Sequence, residues 1–250
     1  MLALLLAPLL LSGSPTQVSS PTRWRIPIVN PGFEQTSRPL APGEWTNGMG
    51  GAGVPVGTRP SFYEPVSFDD PVEVLGWRTY LPPGQPTLNA GVLHPPTSLQ
   101  GQPWVTGHGG QYVAMAHHQW SQQTLRARVR PGVRYRLDFL CGNGAWEPGD
   151  GVYVALLATP DAKTLAIPGT PGVTTLALTS GLHPPFGSEG LMLPWHLVWE
   201  APDPLPASIQ GHRLAIAFVG SDGIPLMNFD DFELHATRRL PPAPDPRPRP

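Results

Sequence analysis

The sequence predicts an antiparallel all-β sandwich of jelly-roll type, and three observations carry that prediction. Apolar and polar residues alternate with a period of two. The clearest case is Thr124-Leu125-Arg126-Ala127-Arg128-Val129, with Leu125, Ala127 and Val129 on one face and Arg126 and Arg128 on the other. Proline and glycine number 35 and 28, about twice the usual share, and cut the chain into short pieces. No long stretch combines a helical period with caps, so helices are not expected to contribute to the scaffold.

Taken in order, residues 1–23 read as a leader and linker. The run Met1-Leu2-Ala3-Leu4-Leu5-Leu6 and its continuation to Leu11 is apolar, is followed by small residues, and is too short to span a bilayer. It resembles a signal-peptide core, so the protein is expected to be secreted or extracytoplasmic, without stable membrane insertion. Residues 24–237 are expected to form the sandwich. Strands are predicted at Gln111–Ala116, Gln123–Val129, Tyr135–Cys141, Val152–Ala158, Trp195–Glu200, Arg213–Val219 and Asn228–His235. Between the second and third of these, Pro131-Gly132 fixes one φ angle and accepts a positive one, which predicts a turn closing a hairpin. Segments 46–61 and 81–110 are rich in glycine and proline and read as surface loops. Residues 160–180, punctuated by Pro160, Pro168, Gly169, Pro171 and Gly172, read as loops and short strands. The tail 238–250 reads as an extended, polyproline-like end.

Composition excludes several functions. A net charge of -2 with no basic cluster in the folded part argues against a nucleic-acid partner. Cys141 is the only cysteine, which excludes an intramolecular disulfide and a zinc–thiolate cluster. Its place at the end of an apolar strand predicts a buried, inert thiol. His117 and His118 are adjacent on a predicted strand and point to opposite faces, so they make a poor pair of ligands for one ion. No nucleophile elbow, phosphate-binding loop or dinucleotide fingerprint occurs. Glu147 with Asp150, or Asp69 with Asp70, supplies carboxylates without the spacing that glycoside hydrolysis demands. The expectation is therefore a protein that is not an enzyme and has no catalytic residues.

Three groups of residues carry a resemblance. Ile28-Val29-Asn30-Pro31-Gly32-Phe33-Glu34 opens the domain, with Gly43-Glu44-Trp45 and Leu75-Gly76-Trp77 after it. Gln123-Thr124-Leu125 is followed by Pro131-Gly132-Val133-Arg134-Tyr135-Arg136-Leu137. Asn228-Phe229-Asp230-Asp231-Phe232-Glu233-Leu234 closes it. In this order they resemble galactose-binding-like jelly rolls, including carbohydrate-binding module families of secreted bacterial proteins. The resemblance covers about residues 26–237 and is more specific for fold than for ligand. It implies Trp45 and Trp77 as structural tryptophans. It also implies a structural calcium between opening and closing motifs, held by Glu34 and Asp230 with carbonyls near Asn30 and Gly32. Simple alternation would place Asp230, Phe232 and Leu234 on one face of the closing strand, and a carboxylate turned that way needs a cation or several donors.

Aromatics are the main functional lead. An exposed indole offers its flat face to the C–H face of a sugar, and neighbouring amides bond the hydroxyls. Trp104, Trp120 and Trp146 lie in Gly-, Pro- or Gln-rich segments, and Gln119 and Gln122 flank Trp120. Trp195 and Trp199, four apart on one strand, are expected in the core. The expected function is an exported, monomeric, non-catalytic carbohydrate-binding-like module whose partner is a polysaccharide or glycan. The alternatives are a structural or adhesive domain that binds proteins and a sandwich-fold hydrolase or lyase.

Overall fold

Period-two strands that are apolar on one face stack in pairs, and here they close into two facing antiparallel sheets. The computed structural model describes residues 22–50, 57–59, 72–80, 91–94, 98–99, 102–103, 113–116, 119–143, 152–179, 181–182, 190–220 and 227–238. Residues 1–21 and 239–250, half of segment 46–61, most of segment 81–110, and His117 and His118 lie outside the described residues. In chain order the strands are β1 (Arg23–Ile26), β2 (Trp45–Asn47), β3 (Gly57–Arg59), β4 (Arg78–Thr79), β5 (Gly91–Leu93), β6 (Ser98–Leu99), β7 (Gln102–Pro103) and β8 (Val113–Ala116). They continue with β9 (Ser121–Arg128), β10 (Val133–Asn143), β11 (Tyr153–Thr159), β12 (Thr174–Leu178), β13 (Met192–Glu200), β14 (Arg213–Val219) and β15 (Met227–Arg238). The larger sheet runs β13-β10-β15-β8-β5-β2-β3, with β1 beside β15. The smaller runs β12-β11-β14-β9-β4, and β6 and β7 pair with each other. The single helical element among the described residues is a 3-10 turn at Ala207–Ile209.

The core lies between the sheets. Leu125, Val154, Leu156, Leu214, Ile216 and Phe218 come from the smaller sheet and meet Tyr135, Leu137, Phe139, Phe229, Phe232 and Leu234 of the larger one. Phe218 bridges the layers, its ring 4.7 Å from that of Phe229 and 5.6 Å from that of Phe232. Each such side chain removed from water contributes about 1.5–3 kcal/mol. Cys141 is buried in this core, as its strand position implied, and burial pushes its thiol pKa up. Trp45 and Trp77 are buried, and Trp195 and Trp199 pack against the core.

Two sequence expectations fail here. β9 and β10 do not form a hairpin: β9 pairs with β14 and β4 in the smaller sheet, whereas β10 pairs with β13 and β15 in the larger. The Pro131-Gly132 turn carries the chain across the sandwich, anchored where Gly132 N–H donates to Pro202 O and Ala201 N–H to Val133 O. Both strands have an apolar face, and an arch lets those faces meet across the core. A hairpin would leave both faces in need of another layer.

The closing strand also departs from simple alternation. Phe229 and Phe232, three apart, both point into the core with no exposure. The β10–β15 register shifts between Asp138 and Leu140, opposite Glu233 and Asp230, and Asp231 takes a φ of 49°. This bulge turns Asp230 away from the core, contrary to the alternating prediction.

Candidate functional site

The outward face of β13, β10 and β15 is the polar complement of the core face. Leu137, Leu234, Leu197 and Phe139 turn inward, so their neighbours turn outward in register. One row holds Glu233, Asp138 and His196; the row above holds Arg25, His235 and Arg136. The next row, past the bulge, holds Asp230, Leu140 and Pro194. Of these rows Arg25, Arg136, Asp138, Glu233, His196, Leu140 and Pro194 line a cleft of about 560 Å³, together with Pro31 and Asp231.

Ion pairs order the charges. Arg25 Nη2 lies 3.0 Å from Glu233 Oε1, and Glu233 Oε2 lies 3.3 Å from His235 Nε2. Arg136 donates to Asp138 through Nε at 2.7 Å, and this hydrogen bond raises the pKa of the guanidinium above its ordinary value. The cleft thus holds three carboxylates (Asp138, Asp231 and Glu233) and the His196 imidazole, with the guanidiniums of Arg25 and Arg136 beside them. Such a set can bind polar groups and move protons.

The bulge beside the cleft is built by the opening motif. Asn30 takes a φ of 51°; its Oδ1 accepts from Gln35 N–H at 2.8 Å, and its Nδ2 donates to Gln35 O at 3.0 Å. The Asn30 carbonyl accepts from Phe33 N–H at 3.2 Å and from the Trp77 indole at 2.9 Å. Both its lone pairs are therefore engaged, and Asn30 acts as a turn organiser. Phe232 N–H donates to Pro31 O at 3.2 Å, which joins the opening loop to the closing strand. Gly32 faces the bulge closely: a Cβ there would lie 3.2 Å from Asp230 Oδ1, 3.4 Å from Asp231 Oδ1 and 3.9 Å from Glu34 Cγ. Asp230 is buried, its Oδ1 accepting from Asp231 N–H at 2.8 Å, while Glu34 is exposed. Among the described residues no three His, Cys, Asp or Glu side chains are gathered as metal ligands.

The predicted aromatic platform is distributed differently. Trp104 and Trp146 lie outside the described residues. Trp120 is half-buried on the outer face of the other sheet, packed against Ala155, Leu157, Ala215 and Ala217. Gln119 and Gln122 are buried beside it in sequence, and register pairs Gln122 with Ala217. Trp120 is therefore on the opposite side of the sandwich from the cleft. Sequence reasoning missed Asp138, His196 and Glu233, because their only signal was the polar half of an alternating strand. Pairing register is what brings them into one row.

No protein-family model and no curated protein sequence matches the chain. Solved structures do match its fold. A cyclase from Fischerella sp. TAU is similar at 21% identity, with 86% of this chain and 98% of that chain covered and a TM-score of 0.59. A cyclase from the same source, in complex with 4-(1H-indol-3-yl)butan-2-one, is similar at 22% identity, covering 85% and 97% with a TM-score of 0.55. A carbohydrate-binding module of family 4 is similar over 63% of this chain and 84% of its own, at 13% identity and a TM-score of 0.39. The chain thus has an antiparallel β-sandwich fold that enzymes also use. The expectation that it is not an enzyme is corrected by this finding: the fold matching it nearly end to end is that of cyclases. That expectation rested on missing motifs, and a site assembled from separate strands leaves no local motif.

Proposed function

We propose that this protein is an enzyme that cyclises or rearranges a small organic substrate by proton transfer, with the cleft over β13, β10 and β15 as its active site. The near-complete mutual coverage with the Fischerella cyclases carries the reading. Asp138 and Glu233 serve as proton donor and acceptor, His196 stands on the far side of Asp138, and Arg136 and Arg25 orient the two carboxylates. A proton given to the substrate at one carboxylate and recovered at the other leaves no net redox change. The apolar opening run supports an extracytoplasmic setting for this activity.

The ketone 4-(1H-indol-3-yl)butan-2-one is a suitable probe, because the C–H groups beside its carbonyl exchange with solvent when a base removes a proton. In deuterium oxide the full chain is expected to accelerate that exchange, followed by NMR, and Asp138→Asn is expected to slow it at least about tenfold. Exchange no faster than in buffer, together with no binding of the ketone, would reject the proposal.

A polysaccharide or glycan ligand for the same cleft is the second reading, favoured by its carboxylate, imidazole and guanidinium rim, which suits hydroxyl groups. A glycan array distinguishes it, since retention there without proton exchange on the ketone assigns the cleft to sugar binding.

We also propose a structural calcium ion at the bulge, held by Asp230 and Asp231 with Glu34 drawn in over Gly32. The close approach of two carboxylates to Gly32 supports it, and flexible oxygen arrays suit this cation. A melting temperature several degrees higher in calcium than in chelator is expected. Identical melts would remove the ion.

A further inference from the structure

We propose that the outer face of the smaller sheet is a docking surface for a sulfated polysaccharide. The strands of that sheet, β4, β9, β11, β12 and β14, contain four arginines, Arg78, Arg126, Arg128 and Arg213, and no acidic residue. The larger sheet carries Asp138, Glu200, Asp230, Asp231 and Glu233. The chain has a net charge of -2, so the cationic face arises from the sorting of strands between sheets and not from composition. The cleft lies on the other sheet, and this surface is independent of what the cleft does.

Register and burial put these arginines on one face. Leu125 and Val129 turn into the core, so Arg126 and Arg128 turn outward. Arg128 pairs with Arg213, whose neighbour Leu214 is in the core. Arg78 pairs with Gln122 and is exposed, whereas its neighbour Thr79 is buried. Two of the guanidiniums are held by backbone: Arg128 Nη1 donates to the Gly211 carbonyl, and Arg213 Nη1 to the Arg126 carbonyl at 3.3 Å. Among the described residues no carboxylate pairs with any of the four, whereas Arg25, Arg38 and Arg136 each have one. Asp161 lies two residues beyond Thr159, the partner of Arg213, but its Oδ1 is engaged by Lys163 N–H, Thr164 N–H and the Thr164 hydroxyl.

The chemistry of the partner follows from this placement. Arg128 and Arg213 stand directly opposite each other, and like charges so placed are destabilising until an anion joins them. Protection of a sheet edge accounts for a charge on β9 beyond β4, but Arg213 is on β14, between β9 and β11. Arg126 stands two residues from Arg128, about 7 Å along the strand. Three guanidiniums at one corner suit a sulfate ester, whose three terminal oxygens can accept from all of them, better than a carboxylate with two. Arg78 lies beside Gln122, four residues or about 13 Å further along β9, so the charges form a track that a linear polymer spans. A lipid surface fits less well, because it takes up apolar side chains beside the cations. The exposed apolar residues of this sheet are Tyr153 and Leu178, the latter paired with Ala155. Tyr153 and Ala155 are six and four residues along β11 from Thr159, about 20 and 13 Å from the row of Arg213.

The test measures binding of the full chain to dextran sulfate, with unsulfated dextran as control. Dextran sulfate is expected to bind with an affinity that falls with salt, at a log–log slope of about -2 to -3, and dextran not to bind. Arg126→Gln, at an exposed position, is expected to make that slope shallower by about one. Arg128→Gln with Arg213→Gln is expected to weaken binding at least about tenfold. The same pair of changes should keep or raise the melting temperature of the free protein, because it removes the opposed charges. Arg134→Gln, on the larger sheet, is expected to bind as the wild type does. Binding that survives Asp138→Asn but not the double change belongs to this face and not to the cleft. Three results would each overturn the proposal. These are equal binding of the two polymers, equal weakening by Arg134→Gln and Arg126→Gln, or tighter binding through these arginines to phosphatidylglycerol vesicles than to dextran sulfate. If the double variant does not fold, Arg126→Gln set against Arg134→Gln decides.

Discussion

Asn30 shows how one side chain organises the start of the domain. Its amide bonds Gln35 in both directions and reaches Leu75 O at 3.4 Å, while its carbonyl fixes the Trp77 indole. Asparagine tolerates the left-handed backbone seen there, which most residues do not. Trp77, so anchored, lies 4.9 Å from the Phe33 ring. Asn30→Ala is expected to cost about 2–4 kcal/mol in urea unfolding, through lost buried hydrogen bonds and a strained φ. Asn30→Gly, which relieves the strain alone, should recover part of that loss, and equal losses in both would refute the backbone contribution. The sequence marked Asn30 through its motif, but its partners are 5, 45 and 47 residues away, and only the fold shows them.

At the scale of elements, the bulge in β15 decides the orientation of the closing strand. It returns Phe232 to the core after Phe229, and it presents Asp230 and Asp231 to the opening loop. Local sequence gives no warning of it, because strict alternation and a one-residue insertion read alike until the partner strand is known. Asp231 carries the positive φ. In chelator, Asp231→Gly is expected to leave stability within about 0.5 kcal/mol of the wild type or to raise it, whereas Asp231→Val is expected to lose about 1–2 kcal/mol. Comparable losses in chemical denaturation would show that the Asp231 side chain, not its backbone, supports the bulge. The β9–β10 arch teaches the same lesson. The turn residues were legible, but whether two strands pair beside each other or face each other depends on which third strand each one finds.

For the whole molecule, burial and pairing set a window of pH stability. The hydrogen bond from Arg38 holds Glu44 below the usual carboxylate range, with Ala41 N–H also donating to it. A folded pKa below the unfolded one stabilises above about pH 4.5 and is lost as pH falls through the folded value. Burial raises the pKa of Cys141 and Tyr135, so their contribution is full below the unfolded values and fades as pH rises beyond about 9. Melting temperature is therefore expected to plateau between these limits and to fall on both sides, with Glu44→Gln flattening the acid limb. Cys141 should react with a thiol reagent at pH 8 only at the rate of unfolding. Fast labelling of the native protein would contradict its burial.

The sequence by itself determined the class of fold, the core tryptophans, the inert thiol and the two motifs that meet at Gly32. The fold class and the buried thiol follow from short-range properties, alternation and turn chemistry, whereas the tryptophans and the two motifs were marked by resemblance. The tertiary structure alone decided which polar residues share a surface. Asp138, His196 and Glu233 belong to three strands far apart in the chain, and each is locally just the wet half of an alternating pattern. Trp120, prominent in sequence, went to the opposite sheet because its strand pairs there.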